Sequence, residues 1–175
     1  MDVVLINNDY PPIIFGGIGT FTHELAKGLV RKGHRVTVIT GYPQITLSAN
    51  NKYYEEIADG INIIRLPYPS MAPRHTLFQL FNYKKIINII KNINPDIIHG
   101  QSGSLYPLIV NLRSIIPVLV TFHSSPAMEK MTSAQSILHG GTTKDFFTYL
   151  LGYPGFRFPY QKELQYSDGA TTVSN

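Results

Sequence analysis

The first forty residues predict a βαβ unit; Met1–Thr40 reads MDVVLINNDYPPIIFGGIGTFTHELAKGLVRKGHRVTVIT. Val3–Ile6 is a short apolar run of branched side chains, which is typical of a strand buried on both faces of a parallel sheet. A helix with Thr20 as its N-cap is predicted by apolar residues one turn apart, at Phe21, Leu25 and Leu29. Arg35–Thr40 then has the composition of a second strand.

Strands and helices continue to alternate along the rest of the chain. Further strands are predicted at Ile61–Leu66, Asp96–His99, Pro117–Phe122 and Ala170–Ser174. Apolar spacing predicts helices over Thr76–Ile93 and around Tyr106–Arg113. This alternation indicates an α/β fold, a doubly wound, mostly parallel Rossmann-like sheet flanked by helices, and we expect the strand order 3-2-1-4-5-6.

The length of 175 residues predicts a single domain over residues 1–175. Residues 124–160 are its least regular part, where we expect a loop or lid carrying short helices. Hydrophobic residues make up 43% of the chain and charged residues 15%, which excludes intrinsic disorder. The absence of cysteine excludes disulfides, thiolate metal sites and a cysteine nucleophile.

The amino terminus carries an acid, Asp2, and too short an apolar run to be a signal peptide. No apolar run approaches the ~20 residues that span a bilayer, so the sequence predicts a cytoplasmic protein. The net charge of +4 suits anionic ligands such as phosphates or acidic lipid headgroups. We expect no nucleic-acid partner.

In an open α/β sheet, ligands bind beyond the carboxyl ends of the strands. Four segments of this chain converge at that edge: the glycine-rich loop after the first strand, Gly100–Gly103, His123–Ser125 and Ser174. Within them, the candidate substrate-binding residues other than the glycines are Gln101, Ser102 and Ser124.

Three glycines, Gly16, Gly17 and Gly19, directly precede the first predicted helix. Glycines there let backbone N–H groups approach a phosphate or diphosphate, and the helix dipole adds partial positive charge. The alternative is that they only permit a tight entry into the helix. A nicotinamide or flavin cofactor is not expected, because Thr22 replaces the third glycine of GxGxxG and Thr40 stands where a ribose-binding acid would end the second strand.

His123 follows the predicted fifth strand, between Phe122 and Ser124. A neutral imidazole there can hydrogen-bond a sugar hydroxyl or act as an acid or base, but it can equally cap the strand. His99 continues an apolar run, which favours a buried structural histidine. No metal site is expected, because neither histidine has a carboxylate at ligand spacing, and the absence of G-x-S-x-G excludes a nucleophile elbow.

The long helix predicted at Thr76–Ile93 also has a possible membrane-binding face. It carries Lys84, Lys85 and Lys91 together with Phe78, Phe81 and Tyr83. Such a helix could lie on anionic lipid as a peripheral contact at the inner membrane face. The alternative, which the pattern favours, is a helix packed on the sheet with a solvated basic edge.

These features occur in an order that resembles the amino-terminal domain of glycosyltransferase family 4 enzymes, which have the GT-B fold. The segments that carry the resemblance are Tyr10-Pro11-Pro12, Gly16-Gly17-Ile18-Gly19, Gly33-His34-Arg35-Val36-Thr37-Val38, Asn94-Pro95-Asp96-Ile97-Ile98-His99, Pro117-Val118-Leu119-Val120-Thr121-Phe122-His123 and Asp168-Gly169-Ala170-Thr171-Thr172-Val173-Ser174. They span the whole chain. Many family members have a second histidine two positions after the one matching His99, where this chain has Gln101.

The resemblance implies retaining, metal-independent transfer of a sugar from a nucleotide-sugar to a carbohydrate or lipid-linked acceptor, without a cofactor. By the motif match, Gly16, Gly17 and Gly19 would lie near the donor diphosphate or an acceptor phosphate, and His123 would be the catalytic contact to the transferred sugar. The family's carboxy-terminal donor-binding domain would lie beyond Asn175, so this chain is expected to be inactive alone and to act with that domain. The alternative is a stand-alone phosphate- or sugar-binding module without catalysis.

Overall fold

A seven-stranded sheet lies at the centre of the part of the chain that the computed structural model describes, residues 1–14, 16–44, 53–70, 74–101, 105–142 and 153–173. Its strands are β1 Asp2–Ile6, β2 Arg35–Gln44, β3 Tyr54–Ala58, β4 Ile61–Pro69, β5 Ile97–Gln101, β6 Val118–Phe122 and β7 Gly169–Thr172. Their order is β3-β4-β2-β1-β5-β6-β7, and every neighbouring pair is parallel except β3 with β4.

The sequence prediction of a doubly wound, mostly parallel sheet is confirmed. The six predicted strands lie in the expected order 3-2-1-4-5-6, because each crossover helix returns the chain to the start of a parallel neighbour. The strand that the sequence missed is β3, which forms a hairpin with β4 at the sheet edge. All five of its residues are exposed, so it has no buried face to produce an apolar alternation. The turn of this hairpin consists of Asp59 and Gly60, which both have positive φ. Asp-Gly suits a two-residue turn because such turns require positive φ at both residues.

The described helices are α1 Gly17–Arg31, α2 Arg74–Ile93, α3 Ile109–Leu112, α4 Pro126–Leu138 and α5 Tyr153–Tyr166. The prediction of Thr20 as the N-cap of α1 is wrong: the cap is Gly16, and Thr20 lies one turn inside the helix. In α4, Ser125 is the N-cap, and its Oγ accepts a hydrogen bond from the backbone N–H of Met128 at 3.2 Å. Both α4 and much of α5 lie in the range 124–160, of which residues 143–152 are outside the described residues.

The two faces of the sheet pack against different helices. On one face, Leu5 and Val38 share a cluster with Ala26 of α1. On the other, Ile6 and Val118 share a cluster that includes buried residues of α2 and α3. Ile97 packs with the α1 cluster and Ile98 with the other, so the alternation of a strand puts His99 and Gln101 on the α1 face.

Candidate functional site

Polar side chains replace apolar ones where β1, β5 and β6 end. Asn7 follows β1, Gln101 is the last residue of β5, and His123 follows β6. These strands are parallel, so their carboxyl ends meet at one edge of the sheet, beside the start of α1. The structure therefore brings the candidate residues Gln101 and His123 to the same edge, together with Asn7.

His123 is held by contacts to β5 and to α1. Its Nε2 lies 2.6 Å from Oε1 of Gln101, and its ring packs edge-on against the ring of Phe21, with 4.8 Å between the centroids. Burial lowers the pKa of His123, since a charged imidazolium is poorly solvated there. The imidazole is therefore neutral near pH 7 and able to hydrogen-bond an uncharged hydroxyl.

The glycines at the start of α1 have different surroundings. The N–H of Gly16 donates to Oδ2 of Asp9 at 3.1 Å. A Cβ on Gly19 would lie 2.7 Å from Oδ1 of Asp9, so the close approach of that carboxylate requires glycine. A Cβ on Gly17 would meet no atom of the described residues within 4 Å. Gly19 thus has a packing role, whereas a side chain at Gly17 would extend into space that no described residue occupies.

Asp9 places a buried carboxylate at the amino-terminal end of α1, where the helix dipole favours negative charge. The contact of Asp9 with the glycines depends on the path of the loop after β1, which the sequence alone does not give.

Thr22, which occupies the third glycine position of the dinucleotide fingerprint, ties α1 to β1. Its Oγ1 donates to the carbonyl oxygen of Ile18 at 2.8 Å and accepts from Nδ2 of Asn7 at 3.1 Å. The same Nδ2 also donates to the carbonyl oxygen of Asp9 at 2.7 Å. Thr22 is buried, and its hydroxyl makes hydrogen bonds that a glycine could not make. This accounts for a threonine at the position where the dinucleotide fingerprint has its third glycine.

His99 lies deeper in the sheet than His123. Its Nε2 is 2.7 Å from Oγ1 of Thr121, which is in turn 2.7 Å from Oγ1 of Thr171. Burial, together with a smaller contribution from the nearby His123, lowers the pKa of His99 to about 4. The interpretation of His99 as a buried, hydrogen-bonded histidine is confirmed.

The other predicted site residues lie at varying distances from His123. Gln101 is buried and contacts it directly. Ser124 lies beside it in sequence, and its Oγ is 3.3 Å from the hydroxyl of Tyr160 on α5. Ser102 lies outside the described residues, as does Ser174. Phe21 and Tyr160 were missed by the sequence analysis, because an aromatic residue at helical spacing has the same pattern whether it packs in the core or against a site.

Within the described ranges, no three His, Asp or Glu side chains come together in a group that could hold a metal ion. The described helices include none with both the length and the apolar composition needed to cross a membrane.

Comparison with known proteins points to one family. The model for Glycosyltransferase Family 4 matches residues 15–175. An uncharacterized glycosyltransferase of Methanocaldococcus jannaschii is 31% identical over 131 residues, which are 71% of this chain and 31% of the relative. The chain spans about a third of the length of the curated relatives it matches.

Solved structures share the fold at lower identity. Sucrose-phosphate synthase from Thermosynechococcus elongatus superimposes with a TM-score of 0.59 at 15% identity, over 98% of this chain and 47% of that one. The catalytic domain of starch synthase IV from Arabidopsis thaliana, bound to ADP and acarbose, has a TM-score of 0.52 at 18% identity, over 70% of this chain and 34% of that one. At these identities the likeness concerns the fold alone.

Proposed function

Because the chain belongs to glycosyltransferase family 4, we propose that it is the acceptor-binding, amino-terminal part of a retaining enzyme. This enzyme transfers a sugar from a nucleotide-sugar to a carbohydrate or lipid-linked acceptor. The observation that carries the proposal is the neutral imidazole of His123, held between Gln101 and Phe21 at the carboxyl edge of the sheet. The starch synthase of the structural comparison is bound to ADP and acarbose, which supports a nucleoside diphosphate product and a carbohydrate ligand.

In this proposal His123 hydrogen-bonds a hydroxyl of the sugar being transferred. The ring is partly buried, and a hydrogen bond is electrostatically stronger there than in water. The hydrogen bond that Nε2 of His123 donates to Oε1 of Gln101 restricts rotation of the ring, so the sugar meets a pre-positioned group. A neutral ring also avoids placing a full positive charge beside the anomeric carbon, where positive charge develops as the bond to the diphosphate breaks.

The backbone at Gly17 is the proposed contact to the donor diphosphate or to an acceptor phosphate. A Cβ on Gly17 would meet no described atom within 4 Å, and Gly17 is the first residue of α1, at the positive end of the helix dipole. In the proposal these backbone groups stabilise the phosphate charge, and the transfer needs neither a metal ion nor a cofactor.

We propose that a second domain supplies the contacts to the nucleotide base. The chain spans about a third of its relatives, which leaves room in a protein of their length for that domain. In this proposal the substrates bind in a cleft between the second domain and the carboxyl edge of the sheet. The chain alone is then inactive.

A donor and acceptor screen tests the proposal, with release of free nucleotide as the measurement. Full-length gene product is compared with residues 1–175 alone. We expect acceptor-dependent release from the full-length product and none from residues 1–175. If no donor releases nucleotide but calorimetry detects phosphate or sugar binding, the stand-alone binding module would replace the proposal.

A further inference from the structure

The outward side of α2 combines large apolar side chains with lysines. Leu80 and Phe81 are 59% and 55% exposed. Lys84, Lys85 and Lys91 are exposed on the turns that follow. At 100° per residue, these five side chains occupy one arc of about 140° around the helix axis.

The inward side of α2 packs against the rest of the domain. Phe78, Ile86 and Ile90 are buried in the core cluster of this sheet face. The hydroxyl of Tyr83 accepts a hydrogen bond from Nδ2 of Asn111 on α3. The sequence hypothesis of a membrane-binding face grouped Phe78 and Tyr83 with Phe81, and for Phe78 this is wrong, because its ring is part of the core. The exposed pair is Leu80 and Phe81, which lie outside the packed stripe.

Positive charge is concentrated in the part of the sequence that contains α2. Between Gly60 and Met128 the sequence has six Lys or Arg residues and one acid, Asp96. One of the six, Arg65, is buried and paired with Glu56. Among the described residues, Lys84, Lys85 and Lys91 form no salt bridge. The apolar pair is therefore flanked by unneutralised positive charge, which complements an anionic surface.

Leu80 and Phe81 lie towards the end of α2 that is nearer to the candidate site. β4 ends at Pro69 at the carboxyl edge of the sheet, and α2 begins at Arg74 and runs back along the face. Leu80 and Phe81 lie about 10 Å along the helix from its start. They are therefore in the half of α2 nearer to the edge that carries His123.

We propose that this face of α2 binds the surface of membranes that contain anionic lipids. Leu80 and Phe81 enter the boundary between headgroups and acyl chains, and the three lysines bind headgroup phosphates. A lipid surface fits better than a protein partner, because lysine is depleted in protein interfaces and this face is the convex side of a single helix. The inference goes beyond the proposed function, since binding to vesicles needs neither donor nor acceptor.

Sedimentation with vesicles tests the inference on the full-length gene product. The vesicles are phosphatidylcholine with or without phosphatidylglycerol, each at low and high salt. We expect binding only when phosphatidylglycerol is present, and weaker binding at high salt because salt screens the charges. No binding to phosphatidylglycerol vesicles at low salt would overturn the inference.

Matched variants locate the contact. Lys84→Gln with Lys85→Gln is expected to lower the partition coefficient about 25-fold, because each basic residue near the surface contributes about fivefold. Leu80→Ser with Phe81→Ser is expected to lower it at least about tenfold. The control is Arg31→Gln with Lys32→Gln, which removes the same charge at the end of α1 and should change binding by less than about twofold.

Three results would contradict the inference. Equal losses in the α1 control would mean that net charge, and not this face, causes binding. Unchanged binding in both α2 variants, with unfolding midpoints near that of the wild type, would exclude the face. A concentration-dependent self-association that Leu80→Ser with Phe81→Ser abolishes, without vesicle binding, would assign the face to a second copy of the chain. Since sugar transfer to a soluble acceptor is measured separately, failure here leaves the proposed function intact.

Discussion

Oε1 of Gln101 lies 2.6 Å from Nε2 of His123, across the pair of neighbouring strands β5 and β6. An amide oxygen only accepts hydrogen bonds, so Nε2 carries the hydrogen and the neutral ring leaves Nδ1 as an acceptor. The strand register pairs Gln101 with Thr121, two residues before His123 on the same face. The sheet thus decides both the position of the imidazole and its tautomer.

Replacing Gln101 by Glu should move the pH dependence of sugar transfer. In the native protein, burial lowers the pKa of His123. In the variant, a carboxylate beside the ring favours the imidazolium form and so raises that pKa. Because the neutral ring is the active form in our proposal, the acid limb of kcat should shift to higher pH. Gln101→Leu serves as the control, since it removes the bond without adding charge and should lower kcat without that upward shift. An unchanged pH profile in Gln101→Glu would separate His123 from the reaction.

His123→Ala should lower kcat by about 100-fold or more, the usual contribution of a positioned polar group in a transition state. The dissociation constant for nucleotide should stay within about threefold, because the second domain holds the base in our proposal. Steady-state kinetics and calorimetry on the full-length product measure the two quantities. Normal turnover in this variant would leave strand capping as the role of His123.

Gly17 and Gly19 should respond differently to substitution. Gly19→Ala places a Cβ 2.7 Å from Asp9 Oδ1 and should lower the free energy of unfolding by about 1–3 kcal/mol. Gly17→Val meets open space and should keep the unfolding free energy within about 1 kcal/mol, yet lower transfer at least about tenfold by blocking the anion. Chemical denaturation and the nucleotide-release assay distinguish them. Wild-type transfer by Gly17→Val would remove the anion contact from the proposal.

Glu163 on α5 should contribute to stability through the turn that precedes α3. The side chain is buried, and its Oε1 accepts hydrogen bonds from the backbone N–H groups of Leu105 and Tyr106, each at 2.9 Å. Glu163→Leu leaves both donors without this acceptor and should cost about 3 kcal/mol, whereas Glu163→Gln keeps an oxygen and should cost about 1 kcal/mol. Glu24→Gln on the exposed side of α1 is the control, expected within about 0.5 kcal/mol. Equal costs for the two Glu163 variants would contradict the assigned bonds.

His99 should make stability depend on pH in the acid range. Its pKa is about 4 in the folded protein and about 6.5 in the unfolded chain. Between these values the unfolded chain binds more protons, so stability is complete above pH 6.5 and is lost as the pH falls towards 4. The loss is up to about 3 kcal/mol. In thermal unfolding scans, His99→Gln should have a flatter profile over this range than the wild type, and parallel profiles would show that His99 does not titrate in this way.

The family and the order of the sheet could be predicted from the sequence because both depend on local patterns. The apolar runs of β1, β2 and β4 and the glycines before α1 are continuous segments, and a match to glycosyltransferase family 4 over residues 15–175 confirms the resemblance that those segments indicated. Alternating strands and helices then leave few sheet orders, because crossover connections are right-handed. An edge strand such as β3, exposed on all five residues, has no such pattern and was missed.

The arrangement around the site required the tertiary structure. His123 and Gln101 are 22 residues apart, and their contact depends on the register of β5 with β6. The hydrogen bond that the Gly16 N–H donates to Asp9 depends on how the loop after β1 folds back onto α1.

By itself, then, the sequence determined the alternation of strands and helices and the sheet order. Those properties follow from periodicity and chain connectivity. Only the tertiary structure decided that Phe78 is buried while Phe81 is exposed, and that the imidazole of His123 is oriented by Gln101. The reason is physical: which side of a helix packs, and which side chains lie within 3 Å, depends on contacts between segments that are distant along the chain.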